Sequence, residues 1–250
     1  MDKNYVEVDG TVLVNLRDDT LSSASQVAEG VTAHLRTGQK VTGTGTGGNV
    51  LSGKILSVTG DSICYGASYS GGYAGIIGEE NGMTVQNLGE NGRCIADFDN
   101  KTGIYASIAD MRSDADYILL EGGTNDTGDV QLGTITSGYT DTLNTSTFAG
   151  AFETMLKNAI NKFHGKKIGY IFIPKGNPDF DSRTTGSYYN VAKACCEKWG
   201  VPYCDLNTLV PPIGLISTLS STYTSDGVHP NELGYRTYWV PQITAWMKTL

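Results

Sequence analysis

The chain has 250 residues, of which 39% are hydrophobic and 18% are charged, and its formal net charge is -8 at pH 7. This length and balance are typical of a globular protein with one substantial α/β domain. The acidic charge, without a cluster of Lys and Arg, argues against nucleic acid as a partner. No apolar run approaches the roughly 20 residues that a membrane-spanning helix needs, so we expect no membrane span.

The first fifty residues differ in composition from the rest, because they are rich in Thr, Gly and Val and end in VTGTGTGGN, which is typical of a linker. We therefore predict an amino-terminal appendage and linker over residues 1–50 and a main domain over residues 51–250. The run LRDDTLSSASQVAEGVTAHLRTGQKVTGT resembles short spacer modules of phage and prophage tail proteins. That resemblance implies a small helix followed by a small hairpin, and a place in a phage-tail or cell-surface assembly.

The sequence begins MDKNYVEVDG, which lacks the basic and then apolar pattern of a secretory signal. This leaves the location open between the cytoplasm and a phage particle.

The cysteines give no sign of a disulfide framework or a zinc site, because their number is odd and none has CxxC spacing. We expect most of them to be reduced apolar fillers. They are Cys64, Cys94, Cys195, Cys196 and Cys204.

Five short apolar runs in the second part of the chain read as strands buried on both faces: KILSVTG, MTVQNLG, ADYILLEGG, KIGYIFIP and VPYCDL. Helices are predicted between and after them, at 71–80, 103–113, 147–163, 184–199 and 231–248. Alternation of strand and helix implies right-handed crossovers and a parallel sheet covered on both sides. We therefore predict a three-layer α/β/α sandwich with a five-stranded parallel sheet, whose ligand site lies at the carboxyl ends of the strands.

A serine follows the first predicted strand in the sequence GDSI, residues 60–63. A serine on the tight turn that leaves a strand is exposed at the edge of the sheet, close to backbone amides, which suits a nucleophile. Ser62 is therefore a candidate nucleophile. The tripeptide alone is weak evidence in a chain with 32 glycines, because such sequences also form plain turns.

Two further turns follow the second and third strands. The sequence NLGENG, residues 87–92, predicts a turn whose amides face a developing oxyanion, although an ordinary strand-to-helix turn has the same sequence character. The sequence GGTND, residues 122–126, offers the side-chain amide of Asn125 either as a further donor or as a cap of the next helix.

The sequence DGVHPN, residues 226–231, precedes the last predicted helix. Pro230 suits a first helical position, which places His229 beside the helix cap and facing the sheet. Asp226 lies on the same turn, so its carboxylate can accept from one ring nitrogen while the other faces Ser62. We interpret the other two histidines as surface residues: His34 and His164.

These four segments, in this order, resemble the blocks that define the SGNH (GDSL-like) hydrolase family, and the resemblance covers residues 54–250. It implies a flavodoxin-like fold and a serine esterase that needs no metal or organic cofactor. The implied triad has Ser62 as nucleophile, His229 as general base and Asp226 orienting that base.

The resemblance also implies an oxyanion hole. Its donors are the Ser62 amide, the Gly92 amide and the Asn125 side chain, with Gly89 as the alternative to Gly92. Ile63, which follows the serine where Leu is common in the family, is a modest departure.

The substrate is less strongly indicated by the sequence. No segment reads as a lid helix with a large apolar face, so we expect a short acyl group, such as O-acetyl, on a carbohydrate. Segment 127–146 either lines the cleft or forms a surface loop, and Arg93 either recognises an acidic substrate or pairs with a surface carboxylate. Four tyrosines near the predicted mouth favour a cleft that stacks sugar rings: Tyr65, Tyr69, Tyr139 and Tyr223.

Two alternatives use the same fold. A lysophospholipase or thioesterase has the same catalytic residues and differs in acyl-chain preference. A non-catalytic module that binds a cell-surface glycan as part of a phage tail would not need Asp226 and His229 beside Ser62.

Overall fold

The computed structural model describes residues 5–8, 11–15, 32–35, 39–42, 49–126, 129–175 and 186–250. The chain divides into two compact units, Met1–Ser52 and Gly53–Leu250.

The described residues of the amino-terminal unit form two small pairs of antiparallel strands. Strand β1, Tyr5–Val8, pairs with β2, Thr11–Asn15, and β3, Thr32–His34, pairs with β4, Lys40–Thr42. The helix expected before the second pair falls on residues 16–31, and most of the Gly- and Thr-rich stretch falls on residues 43–48, so both lie outside the described residues. The spacer role of residues 1–50 stays a prediction.

The second unit is built on a parallel sheet of five strands in the order β6-β5-β7-β8-β9, which confirms the predicted fold class. The central strand β7 is buried at every position, because apolar layers cover both of its faces. All five carboxyl ends meet at one edge, which is where ligands bind in open parallel sheets. The strands are β5, Ile55–Thr59; β6, Thr84–Asn87; β7, Tyr117–Glu121; β8, Lys167–Phe172; and β9, Tyr203–Asp205.

One helical layer contains the helices Phe148–Lys162 and Ser187–Trp199, with the short 3-10 helix Ile104–Asp110 packed against the first of them. Ile118 and Leu120 of β7 belong to the apolar core beneath this layer. The predicted helix at 103–113 is thus shorter than expected and of the tighter 3-10 type.

The other layer contains the helix Gly72–Asn81 and the carboxyl-terminal helix, where Tyr73 stacks on Trp239 with ring centroids 5.6 Å apart. The carboxyl-terminal helix has three consecutive segments: Glu232–Gly234, a π-helical turn Tyr235–Trp239, and Val240–Met247.

Besides the single helical turn Ser62–Tyr65, the described residues contain two short helices that were not predicted from the sequence, Leu206–Leu209 and Ser217–Tyr223. The second buries none of its residues, so its sequence has no apolar periodicity to reveal it. None of the helices in the described ranges is both long and apolar enough to cross a membrane.

Candidate active site

Ser62 begins a one-turn helix, Ser62–Tyr65, directly after the carboxyl end of β5. Asp61 caps this turn, because its Oδ1 accepts a hydrogen bond from the Ile63 amide at 2.9 Å. Gly66 ends it with φ of 86°, and a Cβ there would lie 2.2 Å from the Tyr69 carbonyl oxygen, so only glycine fits. The turn therefore holds the Ser62 hydroxyl at the edge of the sheet.

The loop that carries His229 is closed by its own backbone. The Ser225 amide donates to the His229 carbonyl at 2.9 Å, and Thr224 forms an isolated β-bridge with Pro230. The prediction that Pro230 occupies the first helical position is wrong. The helix begins at Glu232, because Asn231 is its cap and accepts from the Gly234 amide at 2.9 Å.

Ser62, His229 and Asp226 lie in hydrogen-bonding order. The Ser62 Oγ is 2.8 Å from His229 Nε2, and His229 Nδ1 is 2.7 Å from Asp226 Oδ2. An ionised carboxylate can only accept, so Nδ1 carries the ring hydrogen and Nε2 is left to accept from the serine. The arrangement can therefore take a proton from the Ser62 hydroxyl.

The Asp226 carboxylate is held in its ionised form by local donors. Partial burial raises the pKa of Asp226, but hydrogen bonds from the backbone and ring of His229 and from the Val228 amide outweigh burial, and the pKa lies below its ordinary value. The carboxylate thus remains charged and able to orient the imidazole.

Two side-chain contacts fasten the serine turn to the histidine loop and the helix that follows it. The Tyr235 hydroxyl donates to the Ile63 carbonyl at 2.8 Å, and the Ser68 and Ser225 hydroxyls lie 2.6 Å apart. These contacts therefore fix the relative positions of segments that are distant in the chain, as a hydrogen bond between their side chains requires.

The two glycines proposed for the oxyanion turn differ in their surroundings. The Gly89 amide already donates to Asn87 Oδ1 at 2.8 Å. Gly92 has φ of 71° and borders the same cavity as Asn125. Of the two alternatives, Gly92 is therefore the better candidate for an amide donor to substrate.

Asn125 does not cap a helix, since the next helix begins at Phe148 with Thr147 as its cap. Its Nδ2 donates to the Arg93 carbonyl at 3.0 Å, next to Gly92 in the chain. One of the two amide hydrogens is thus used to orient the group, and the second can be offered to a ligand.

Asp126 is a positioning residue that sequence reasoning missed. It is buried, and its two oxygens accept from the Ile95 amide at 2.8 Å and the Ala96 amide at 3.1 Å. The Cys94 thiol adds a contact to the Asn125 carbonyl at 3.2 Å. These bonds hold the Gly92 turn against the segment that carries Asn125. In the sequence, Asp126 was indicated only as the last residue of the GGTND motif.

The Arg93 guanidinium binds groups of its own loop and of the adjacent 3-10 helix. Its guanidinium donates to the Thr102 carbonyl at 3.1 Å, the Gly103 carbonyl at 3.1 Å and the Ser107 hydroxyl at 2.6 Å, and it lies 3.3 Å from Glu90. The structure therefore favours the interpretation in which Arg93 pairs with a surface carboxylate.

Residues 129–146 pack along the helical layer. Glu153 is buried in the helix Phe148–Lys162, and its carboxylate accepts from the Thr136 amide at 2.8 Å and the Trp199 indole at 3.0 Å. Lys198 also pairs with Glu153 and donates to the Thr136 carbonyl. These contacts fix the middle of the segment along the helices.

The position expected for Tyr139, near the cleft mouth, is wrong. Its ring packs edge-on against Trp199 with centroids 5.2 Å apart, and Trp199 ends a helix just before β9 begins at Tyr203. Tyr139 therefore lies toward the amino edge of the sheet, opposite Ser62. Tyr65 and Tyr69, in contrast, line a groove formed by residues 65–71 and Asn87.

The chain resembles known proteins over the region that contains this site. Residues 58–237 match the model of the GDSL-like Lipase/Acylhydrolase family. A solved structure from Lactobacillus plantarum has 23% sequence identity and a TM-score of 0.66, with 79% of this chain and 98% of that chain covered. No curated protein matches the chain.

Two further solved structures have named activities. A lipase/acylhydrolase from Enterococcus faecalis has 18% identity and a TM-score of 0.55, with 78% of this chain and 96% of that chain covered. An inhibitor-bound aryl esterase from M. smegmatis has 15% identity and a TM-score of 0.55, with 79% and 99% covered. These identities show the fold, and the family model spans most of the chain. The chain therefore belongs to the GDSL-like lipase/acylhydrolase family and is a carboxylic ester hydrolase.

Proposed function

We propose that the enzyme hydrolyses short-chain acyl esters, with O-acetyl groups on a carbohydrate as the preferred substrate, and that Ser62 is its nucleophile. The observation that carries the assignment is the 2.8 Å contact between the Ser62 hydroxyl and His229 Nε2. A hydroxyl is a weak nucleophile until a base accepts its proton, and this contact supplies the base.

In the first step His229 takes the Ser62 proton while Oγ attacks the ester carbonyl carbon. The carbonyl oxygen becomes an oxyanion, to which the Ser62 amide, the Gly92 amide and the Asn125 side chain donate, each contributing about 3 kcal/mol. The bond to the leaving alcohol then breaks, and His229 returns the proton to the alcohol oxygen.

In the second step water hydrolyses the acyl-enzyme. His229 accepts a proton from water as its oxygen attacks the acyl carbon, and it gives that proton to Ser62 Oγ as the acyl–serine bond breaks. Asp226 stays ionised throughout and stabilises the imidazolium that forms in each step.

A small cavity supports a short acyl group. Because His229 protonates the leaving oxygen, the alcohol lies on the His229 side and the acyl group on the side of the oxyanion donors. Gly92 and Asn125 border a cavity of about 140 Å³, which is also lined by a tight turn at residues 98–101. This volume is below the roughly 300 Å³ at the lower end of sites for drug-sized ligands.

A polar groove supports a carbohydrate alcohol. The segment after the Ser62 helix, residues 65–71, lines a groove of about 560 Å³ together with Asn87. The groove offers hydroxyl groups and the exposed ring of Tyr65, and aromatic faces with polar neighbours suit a sugar ring.

The test compares acetate release from acetylated oligosaccharides with hydrolysis of long-chain p-nitrophenyl esters. We expect the purified enzyme to release acetate and to hydrolyse p-nitrophenyl acetate faster than the palmitate ester, and Ser62→Ala to do neither. Preference for the long chain would support the lysophospholipase or thioesterase alternative. Glycan binding without turnover would support the non-catalytic alternative.

A further inference from the structure

A buried carboxyl group lies directly beneath the serine turn and has no part in the proposed reaction. Glu121 is the last residue of β7 and has no exposed surface. Its Oε2 accepts a hydrogen bond from the Asp61 amide at 3.3 Å. A Cβ added to Gly60 would lie 2.4 Å from the same oxygen, so the carboxyl packs against the turn with no room between them.

The groups that face Glu121 are acidic or neutral. Asp61 and Cys64 lie near it in the serine turn, and Tyr73, Tyr170 and Tyr235 of the helices and the neighbouring strand β8 are close enough for its charge to raise their pKa. Among the described residues, no salt bridge or hydrogen bond joins it to a basic side chain.

An ionised carboxylate in this position would be costly. Burial, followed by the charge of Asp61, raises the pKa of Glu121 well above its ordinary value of 4.5. Burial also raises the pKa of Asp61, but hydrogen bonds from Ile63 and Thr124 oppose burial and favour its charged form. When two facing carboxyls share one site, they do not both ionise easily, and the proton stays on the one that accepts fewer hydrogen bonds, which here is Glu121.

We propose that Glu121 is a positioning residue that acts as a neutral carboxylic acid beneath Gly60, Asp61 and Ser62. Its carbonyl oxygen gives the buried Asp61 amide an acceptor, which an apolar residue could not do. Its proton removes a negative charge that would oppose the oxyanion forming beside Ser62. This role rests on the proposed function, because Glu121 acts only through Ser62.

The substitution Glu121→Gln removes the ionisable group but keeps an acceptor for the Asp61 amide. The glutamine side chain has a carbonyl oxygen and matches the neutral acid in size. Glu121→Leu removes the acceptor. Glu197→Gln is the matched control, since Glu197 is an exposed carboxylate on the helix Ser187–Trp199.

Infrared difference spectra between wild type and each variant at neutral pH show whether Glu121 carries a proton. We expect the wild-type protein to show the carbonyl stretch of a protonated carboxyl, Glu121→Gln to lose that band and Glu197→Gln to keep it. If Glu121→Gln removes only a carboxylate band, Glu121 is ionised and the proposal is overturned. This readout needs no substrate, so it stands apart from any failure of the esterase assignment.

Kinetics tests the positioning role. We expect Glu121→Gln to keep kcat within a few-fold of wild type, and Glu121→Leu to lower kcat on the order of 100-fold with little change in KM, as displacement of a reacting group does. A Glu121→Leu enzyme with wild-type kcat, or a Glu121→Gln enzyme that loses as much, overturns the role. If Glu121→Leu does not fold, the Glu121→Gln rate and spectrum still decide the question.

Discussion

Asp226 contacts His229 through two different oxygens: Oδ1 accepts the His229 backbone amide at 2.8 Å, and Oδ2 faces the ring Nδ1 at 2.7 Å. Oδ1 also accepts a hydrogen bond from the Val228 amide at 2.9 Å. The backbone therefore fixes the orientation of the carboxylate independently of the imidazole ring. The side chain of Asp226 is half exposed, which makes its bond to the imidazole depend on this backbone support. The turn therefore presets the orientation of His229.

Replacement of Asp226 by Asn should lower kcat by about 10²–10⁴-fold for p-nitrophenyl acetate, because an amide can donate to Nδ1 and favour the wrong tautomer of His229. The control is Asp114→Asn, which removes an exposed carboxylate paired with Arg112. A variant within tenfold of the wild-type rate would show that Asp226 does not orient the base.

Ser62→Ala and His229→Ala should each reduce kcat by at least about 10⁴-fold, and the double variant should be no slower than either single variant, because the two groups act as one unit. Single-turnover and steady-state rates on p-nitrophenyl acetate measure this. Additive losses would mean that the hydroxyl and the imidazole act in separate steps.

Asn125→Ala should lower kcat by about 10²–10³-fold and leave KM little changed, because its side chain is proposed to donate chiefly to the oxyanion of the transition state. Asn144→Ala, at an exposed asparagine in the segment before the helix Phe148–Lys162, is the control. A rise in KM with an unchanged kcat would place Asn125 in ground-state binding instead.

Phe98→Ala should broaden the acyl specificity. Phe98 lines the cavity next to Gly92 and Asn125 and is 38% exposed, so its truncation opens that cavity. We expect kcat/KM for the butyrate ester, relative to the acetate ester, to rise about tenfold. Tyr139→Ala, at the other edge of the sheet, should leave this ratio unchanged, and an unchanged ratio in Phe98→Ala would mean that the acyl group binds elsewhere.

Glu121 should also make the stability of the enzyme depend on pH. Because its pKa is raised in the folded state, the folded protein keeps a proton that the unfolded chain loses above about pH 4.5. The stabilising contribution is complete below that pH and is lost as pH rises toward the folded pKa. Wild type should therefore lose stability relative to Glu121→Gln as the pH rises above about 5, by at most about 1.4 kcal/mol per pH unit, measured by urea unfolding. A difference that does not change with pH would show that Glu121 is ionised in the folded state.

The sheet was predictable because its strands leave a strong local pattern, and the four motif segments were recognised because they occur together in one order. Apolar runs such as YILLE in β7 mark strands buried on both faces, and the polar residues after each strand mark the ligand edge. The proximity of Ser62 and His229 followed from topology, since parallel strands bring their carboxyl ends together.

Other features depend on contacts that the sequence does not encode locally. Asp126 and Tyr139 acquire their roles from partners elsewhere in the fold, Ala96 and Trp199, so composition near them gave no guide. The helical position of Pro230 was wrongly predicted because Asn231 caps the last helix, so the helix begins only after Pro230. Glu121 did carry a signal, an acid at the end of an otherwise apolar strand, whose meaning depends on its contact with the Asp61 amide.

The reactivity of Ser62 toward a fluorophosphonate probe tests the central assignment most directly, because the probe modifies a serine only when a neighbouring base and an oxyanion site activate it. Peptide mass spectrometry should find the label on Ser62 of the folded wild type, and none after heat denaturation or in His229→Ala. A folded wild-type protein that stays unlabelled, or one labelled at another residue, would contradict the account.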